Sequence, residues 1–464
     1  MQQLIERRFI DRDSEMVFLE DRYAAASPEF LVIYGRHRIG KTRLLLNFSQ
    51  NKPGIYFLCT KDSERENINQ MKKKMSVFLR MPTFERLEVN NWIELFKCFF
   101  FEFYNRDERI IFILDEFPYL IELNRGVTSV FQKIWDENLS GRDVMLILTG
   151  SSVGMIETEV LGYRSPLYGR RTGQWKVIEI DFKYLDKFLP EYNTEDLCMV
   201  YGVVGGVPAY LEKFDGSLTF FENIMERMLK KGEFLNLEPE FLLREEFREP
   251  KNYFLILKAI ARGYNALARV STYTGLEKGN TSKYLHVLED TRILRHILPI
   301  GRRKRGIYVI EDPLFAFWFR FLYPNRDDVE AENYEALLSK IKNDFPAYMG
   351  FRFEFLCEEL IRKNQIPLPI IPTSIGKWWH KEAEIDIIAL NEKTDEIFFC
   401  EVKWKNLLKH ETEKVLESLV AKAGLMEWRK RNRKEYYGII ARKIAGKEEF
   451  RDHGYVAYDL EDMR

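Results

Sequence analysis

An eight-residue stretch near the start, Gly35-Arg36-His37-Arg38-Ile39-Gly40-Lys41-Thr42, constrains this chain more than any other. It fits G-x-x-x-x-G-K-[ST] at every defined position, a pattern that functions only between a strand and a helix. Both flanks comply. Residues 30–34 form an apolar run of strand length, and Leu44, Leu45 and Phe48 recur at helical spacing. The glycines let backbone N–H groups turn inward around phosphates, and the helix N-terminus adds partial positive charge. Lys41 is expected to reach the β- and γ-phosphates of ATP and Thr42 to ligate Mg²⁺, with Arg36, His37, Arg38 and Ile39 forming the loop between the glycines.

Further strand-length apolar runs lie at 55–58, 110–114 and 144–149, with amphipathic stretches at 91–104 and 128–138 between them. Runs apolar on both sides and separated by helices predict a parallel sheet covered on both faces, an α/β core. The run 110–114 ends in Asp115-Glu116, at the carboxyl edge of the sheet where ligands sit. Asp115 is expected to hold Mg²⁺ through its shell and Glu116 to polarise an attacking water. The run 144–149 leads into Gly150-Ser151-Ser152. Ser151 either senses the γ-phosphate or caps the next helix. Arg170, in Leu167-Tyr168-Gly169-Arg170-Arg171, either contacts phosphate, in cis or in trans as an arginine finger, or sits in a solvated basic turn. A role in trans would make the chain a homo-oligomer.

At 464 residues the chain is too long for one core. Its 71 basic and 72 acidic side chains nearly cancel, so any nucleic-acid contact must come from local patches. The charged start MQQLIERRFIDRDSE lacks an apolar signal core, and no apolar run approaches the ~20 residues that cross a bilayer. No membrane partner and a cytoplasmic location are expected. Five scattered cysteines without a Cys-x-x-Cys pair read as small buried hydrophobes in a reducing compartment.

The segments divide as 1–183 core, 184–249 helical lid, 250–323 winged helix-turn-helix, 324–345 helical connector and 346–464 a second α/β domain. The third rests on three short helical patterns, at 252–262, 266–274 and 281–288, then a basic turn, Arg302-Arg303-Lys304-Arg305, and a strand at 307–310. A candidate recognition helix carrying Thr281, Ser282, Lys283, Tyr284 and His286, with Arg302 to Arg305 at the wing tip, predicts phosphate contacts to DNA, unless the domain packs against its neighbours instead. Beyond the connector come a helix at 351–362, strands at 384–389 and 397–403, a long helix at 412–431 and a strand at 436–441.

The array Phe9-Ile10-Asp11-Arg12 with Glu15, Tyr34-Gly35-Arg36 with Gly40-Lys41-Thr42, and Leu114-Asp115-Glu116-Phe117 resembles the archaeal ATPase family, in the AAA+-related, STAND-like group of P-loop ATPases. Leu148-Thr149-Gly150-Ser151-Ser152, Leu167-Tyr168-Gly169-Arg170 and Gly205-Gly206-Val207-Pro208-Ala209-Tyr210-Leu211 match it as well. The resemblance covers about residues 1 to 320 and implies a nucleotide-controlled switch with a helical lid and a winged helix. His37 departs from it, standing where the family more usually has Arg.

In the last segment, Glu384-Ile385-Asp386-Ile387-Ile388-Ala389 is followed by Phe399-Cys400-Glu401-Val402-Lys403. Residues two apart share a strand face, so Glu401 and Lys403 point one way and Val402 the other. If the strands pair as a hairpin, Asp386, Glu401 and Lys403 converge. Two carboxylates can hold a hard divalent ion, and Lys403 can position or activate its water near a phosphodiester. This arrangement is similar to the PD-(D/E)XK nuclease superfamily, over about residues 346 to 450. The resemblance implies Glu354 on the opening helix as a further metal ligand, although Ile385 replaces the Pro of the name. Trp378, Trp379 and Trp404 either flank the site or serve packing.

The leading reading is an ATP-hydrolysing chain coupled to a metal-dependent nuclease on DNA or structured RNA. The alternatives are a STAND-like regulatory or scaffolding switch, and a DNA-remodelling motor acting as a ring.

Overall fold

The computed structural model describes residues 9–104, 108–247, 249–301 and 306–463. They fall into two compact units, one reaching Asp181 and including Val207–Ala209, the other made of Phe182–Gly206 and Tyr210 onward.

The first unit is built on five strands, β1 (Glu29–Tyr34), β2 (Gly54–Leu58), β3 (Ile110–Asp115), β4 (Val144–Gly150) and β5 (Gly173–Lys176). All pair in parallel, in the order β2-β3-β4-β1-β5. Every residue of β1, β3 and β4 is buried, as a sheet covered on both faces requires. Alternate residues feed two layers. Phe112 and Leu114 join an aromatic layer with Trp92, Phe96 and Phe131. Ile111 and Ile113 join Leu44, Leu45 and Phe48 of the helix Lys41–Phe48 on the other face. The expected strands all form. β5 was not among them, because an edge strand half open to solvent carries no apolar run. Its consequence is that β1 lies inside the sheet, and β4 separates β1 from β3.

In the second unit the helices Pro250–Ala261, Leu267–Thr274 and Lys278–Asp290 precede an antiparallel pair, β6 (Leu294–Ile297) and β7 (Ile307–Ile310). The basic turn of Arg302, Arg303, Lys304 and Arg305 lies outside the described residues. The expected connector, 324–345, is not one element: it begins with a short helix, Arg326–Glu330, and its remainder from Tyr334 runs on without a break into the helix expected at 351–362, as Tyr334–Arg362 with Pro346 inside it. Its stripe of Leu337, Ile341, Phe345, Met349, Phe353, Leu356 and Leu360 is buried on both sides of that proline, and burial of a continuous stripe outweighs one lost hydrogen bond. Arg352 extends the attachment, donating to the carbonyls of Ile310 (3.2 Å) and Glu311 (2.7 Å) at the end of β7.

The second sheet has the order β12-β11-β10-β9-β8. Its strands are β8 (Ser374–His380), β9 (Ala383–Asn391), β10 (Glu396–Leu407), β11 (Lys434–Ile444) and β12 (Val456–Tyr458). β8, β9 and β10 run antiparallel, whereas β10, β11 and β12 are parallel. A parallel step from β10 to β11 needs a crossover, and the helix Lys409–Ala423 lies within it. The sequence predicted a helix to 431. The chain leaves it at Gly424, and turns fill the space before β11. All five cysteines are free thiols, and four of them are buried. Among the described residues no helix is long and apolar enough to cross a membrane.

Candidate functional site

The strand order gathers the nucleotide residues. The loop after β1, the end of β3 and the end of β4 all emerge at one edge, with β4 in the middle. Ser151, just past β4, therefore reaches both neighbours. Lys41 Nζ donates to Ser151 Oγ at 2.7 Å, and that hydroxyl donates to Glu116 Oε1. The Ser151 N–H donates to Glu116 Oε2 at 3.1 Å. Ser151 thus lies between Lys41 and Glu116. The residue at the start of the following helix is Ser152, whose side chain makes no cap.

The loop is shaped by its backbone. Gly35 has φ +155° and Gly40 φ +90°, where a side chain is strained. A Cβ at Gly35 would also strike the Val177 carbonyl. Lys41 Nζ further donates to the carbonyls of Gly35 (2.8 Å) and Arg36 (2.9 Å), which folds the cation back over the loop. Arg38 and Glu116 hold positive φ, 69° and 54°, a conformation non-glycine residues adopt mainly where the surroundings impose it.

Thr42 Oγ1 donates to Asp115 Oδ2 at 2.7 Å. Tyr56 of β2 donates to the same oxygen at 2.7 Å, a contact the sequence reading missed. Asp115 Oδ1 accepts from the Glu116 N–H at 3.0 Å. A hydroxyl and a carboxylate held this close are hard oxygen donors of the kind Mg²⁺ takes together with phosphate oxygens and water. Burial, then the charges of Lys41, Arg38, Arg36 and Lys61, push the His37 imidazole down to about 3, so it is neutral beside the loop.

Arg12 was quoted in the sequence only as part of an array, and its task is structural. Buried at 5% exposure, it donates to the carbonyls of Ile39 (3.0 Å) and Ile178 (2.9 Å) and pairs with Glu15 at 3.3 Å. It thereby ties the phosphate loop to the chain beyond β5. Arg36 pairs with Glu179 at 3.2 Å. Arg170 is bound to Asp136 at 3.1 Å, so the structure does not bring it to the phosphate loop.

In the second sheet, β9 and β10 pair as far as Ile387 and Cys400. Next to that last pair, the Asp386 carboxylate accepts the Val402 N–H at 2.8 Å. Lys403 Nζ stands 2.9 Å from Asp386 Oδ2 and 2.5 Å from Glu401 Oε2. The three residues read from the sequence are thus brought together. Lys422, on the helix Lys409–Ala423, adds a second cation 2.8 Å from Glu401 Oε1; sequence spacing gave no sign of it. Burial pushes the Asp386 carboxyl up, but Lys403 and the Val402 N–H hold it below its ordinary range. Burial and the charge of Asp386 push Glu401 up against its two lysines. Glu401 is the more readily protonated of the two.

Glu354 has its ion-pair partner on another strand, although the Asp386 charge still acts on it. Its carboxylate is bound to Lys377 of β8, and burial raises it to about 7 despite that lysine. Among the described residues no group of three or more His, Cys, Asp or Glu is placed to hold a metal ion. A cation here would rest on Asp386 and Glu401 with water completing its shell, a donor number Mg²⁺ accepts. Trp378 belongs to the core, and Trp404 packs on Phe353 with ring centroids 5.0 Å apart.

Known proteins resemble the chain in both parts. A family of ATPase domains predominantly from Archaea matches residues 9–214. A family described as archaeal and bacterial proteins of unknown function matches residues 318–415. An uncharacterised protein of Methanocaldococcus jannaschii is 36% identical over 465 residues, covering 98% of this chain and 100% of that protein. An uncharacterised ATP-binding protein of the same organism is 39% identical over 44 residues, 10% of this chain and 75% of that one. Among solved structures, a Walker-type ATPase of Pyrococcus abyssi aligns with a TM-score of 0.51 at 22% identity, over 68% of this chain and 99% of that chain.

Proposed function

Since this chain belongs to the family of ATPase domains found predominantly in Archaea, we propose that it hydrolyses ATP at the phosphate loop and carries a metal-dependent nuclease centre in its C-terminal sheet. The observation that supports hydrolysis is the linked pair of contacts, Thr42 to Asp115 and Lys41 through Ser151 to Glu116. Lys41 would exchange loop carbonyls for the β- and γ-phosphates, and Glu116 would hold the water that attacks the γ-phosphorus. The bond from that phosphorus to the bridging oxygen breaks, ADP leaves with the bridging electrons, and the water's proton passes toward Glu116. Thr42, and Asp115 through a water, would hold Mg²⁺, which would supply charge neutralisation along the triphosphate.

The nuclease reading rests on Asp386, Glu401 and Lys403 within hydrogen-bond distance of one another. Lys403 stands between the carboxylates, whose charges, despite its burial, hold it protonated above its ordinary range, and there it can orient a water facing a phosphodiester. Asp386 and Glu401 would hold a divalent ion, which would supply the charge that makes a nearby water more acidic. Glu354 would join those ligands on releasing Lys377. The substrate would be DNA or structured RNA, with DNA contact by the three helices and hairpin of residues 250–323.

The test is cleavage of single-stranded, duplex and branched nucleic acids with Mg²⁺ or Mn²⁺, with and without ATP, by wild type, Asp386→Ala and Glu401→Ala. Metal-dependent cutting absent from both variants is the expected result. No cutting by the wild type on any substrate would leave a STAND-like switch whose C-terminal domain binds or scaffolds.

A further inference from the structure

A cavity of about 620 Å³ opens in the second unit, between the end of the helix Pro250–Ala261, the segment Trp318–Asn325 and the helix Tyr334–Arg362. It is of the size that takes small ligands, roughly 300–1,000 Å³. None of its lining residues takes part in the phosphate loop or the C-terminal carboxylate cluster. Three cations line it, Lys258, Arg262 and Arg320, against one carboxylate, Asp344.

The cations are held largely by neutral groups. Lys258 Nζ lies 5.2 Å from the centroid of the Tyr323 ring, and Arg262 donates to the Tyr273 hydroxyl at 2.9 Å. Among the described residues neither has a carboxylate at ion-pair distance. Arg320 and Asp344 stand 3.8 Å apart, too far for a hydrogen bond. A surface ion pair at that separation neutralises little. The wall is otherwise apolar, with Phe319 buried beneath it. Positioned cations with surplus charge over an apolar floor match an anion attached to a carbon skeleton. Two guanidinium groups favour a phosphate, whose oxygens they can chelate in pairs.

We propose that this cavity binds a phosphate ester, with Lys258, Arg262 and Arg320 on the phosphate and the apolar wall against the group it carries. The ester comes either from a free phosphorylated small molecule or from a nucleic-acid backbone. The inference goes beyond the proposed ATPase and nuclease reading and does not rest on it.

The test is calorimetric titration of the full chain carrying Lys41→Ala, which weakens phosphate binding at the loop, with no nucleotide added and divalent metal chelated. The probes are ribose 5-phosphate and a short single-stranded oligodeoxynucleotide. The variants are Lys258→Gln/Arg262→Gln/Arg320→Gln together, and Asp344→Asn. We expect saturable binding that falls at least about tenfold in the triple variant and rises roughly threefold in Asp344→Asn. Those responses with ribose 5-phosphate assign a free phosphorylated ligand, and the same responses with the oligonucleotide alone assign a backbone. Binding of neither probe, an unchanged affinity in a folded triple variant, or weaker binding by Asp344→Asn would overturn the proposal. If the triple variant fails to fold, Asp344→Asn decides by itself.

Discussion

Lys41 Nζ and Ser151 Oγ lie 2.7 Å apart, and the same serine holds Glu116 through its hydroxyl and its N–H. One residue past β4 thus couples the group that would meet phosphate with the group that would meet water. Ser151→Ala removes the hydroxyl and leaves the N–H contact, so Glu116 loses one of two tethers. The kcat for ATP should fall about 10- to 100-fold, while the Kd for ATP stays within about threefold, because the loop backbone is untouched. Steady-state kinetics paired with a nucleotide titration separates the two. An unchanged kcat would remove Ser151 from the mechanism. Lys41→Ala, by contrast, should abolish turnover.

Arg12 spans from the start of the described chain to Ile39 and Ile178. Its Nη2 serves both carbonyls while its Nη1 holds Glu15 and the Asp11 carbonyl, a division between two fixed nitrogens that a single ammonium on a flexible stem reproduces poorly. Arg12→Ala strands buried acceptors and Glu15, and should cost about 2–4 kcal/mol of unfolding free energy in the first unit. Arg12→Lys should recover less than half of it, and both should weaken ATP binding by loosening the loop. Urea unfolding and nucleotide titration read the two effects. Full recovery by lysine would mean that only the charge matters.

The core sheet was legible because buried parallel strands announce themselves as unbroken apolar runs, and the phosphate loop because its chemistry is local in sequence. What the sequence hid was non-local. Arg12 acts on backbone carbonyls, one of them 166 positions away, and a carbonyl has no residue signature. β5 is stabilised by β1 on one side alone. β8, with Gly376, Lys377 and His380, shows no apolar alternation, so Lys377, the cation that binds Glu354, could not be read. The helix Tyr334–Arg362 was divided at a proline and a charge-rich stretch, although its buried stripe continues through both.

Lys403 is placed between two nearly buried carboxylates, Asp386 at 8% and Glu401 at 3% exposure. Lys403→Met removes the shared cation and leaves those charges to repel one another, with only Lys422 remaining on Glu401. A broken buried pair costs about 3–5 kcal/mol. Protonation limits the loss, because a carboxylate left without its cation takes up a proton more readily. A carboxyl whose folded pKa is raised is stabilising below its unfolded value and loses that stability as pH rises through the folded one. The deficit should therefore be small near pH 5 and grow toward pH 8, reaching about 2–4 kcal/mol. Urea unfolding at several pH values checks it, and a deficit independent of pH would contradict the charge account.

His37 offers the opposite sign. Burial and four nearby cations lower it from 6.5 to about 3, so the folded loop binds the neutral ring and the unfolded chain takes up the proton first. Stability from a group with a depressed pKa is complete above the unfolded value and is lost as pH falls toward the folded one. Between about pH 7 and pH 5 the nucleotide-free protein should lose about 1–2 kcal/mol through this ring alone, and His37→Gln should lack that loss. A bound triphosphate brings negative charge to the same place and raises the pKa of the ring. ATP binding should then take up a fraction of a proton near pH 6, in wild type but not in His37→Gln. Calorimetry in buffers of different ionisation enthalpy measures that uptake directly. Equal uptake by the two proteins would place the titrating group elsewhere.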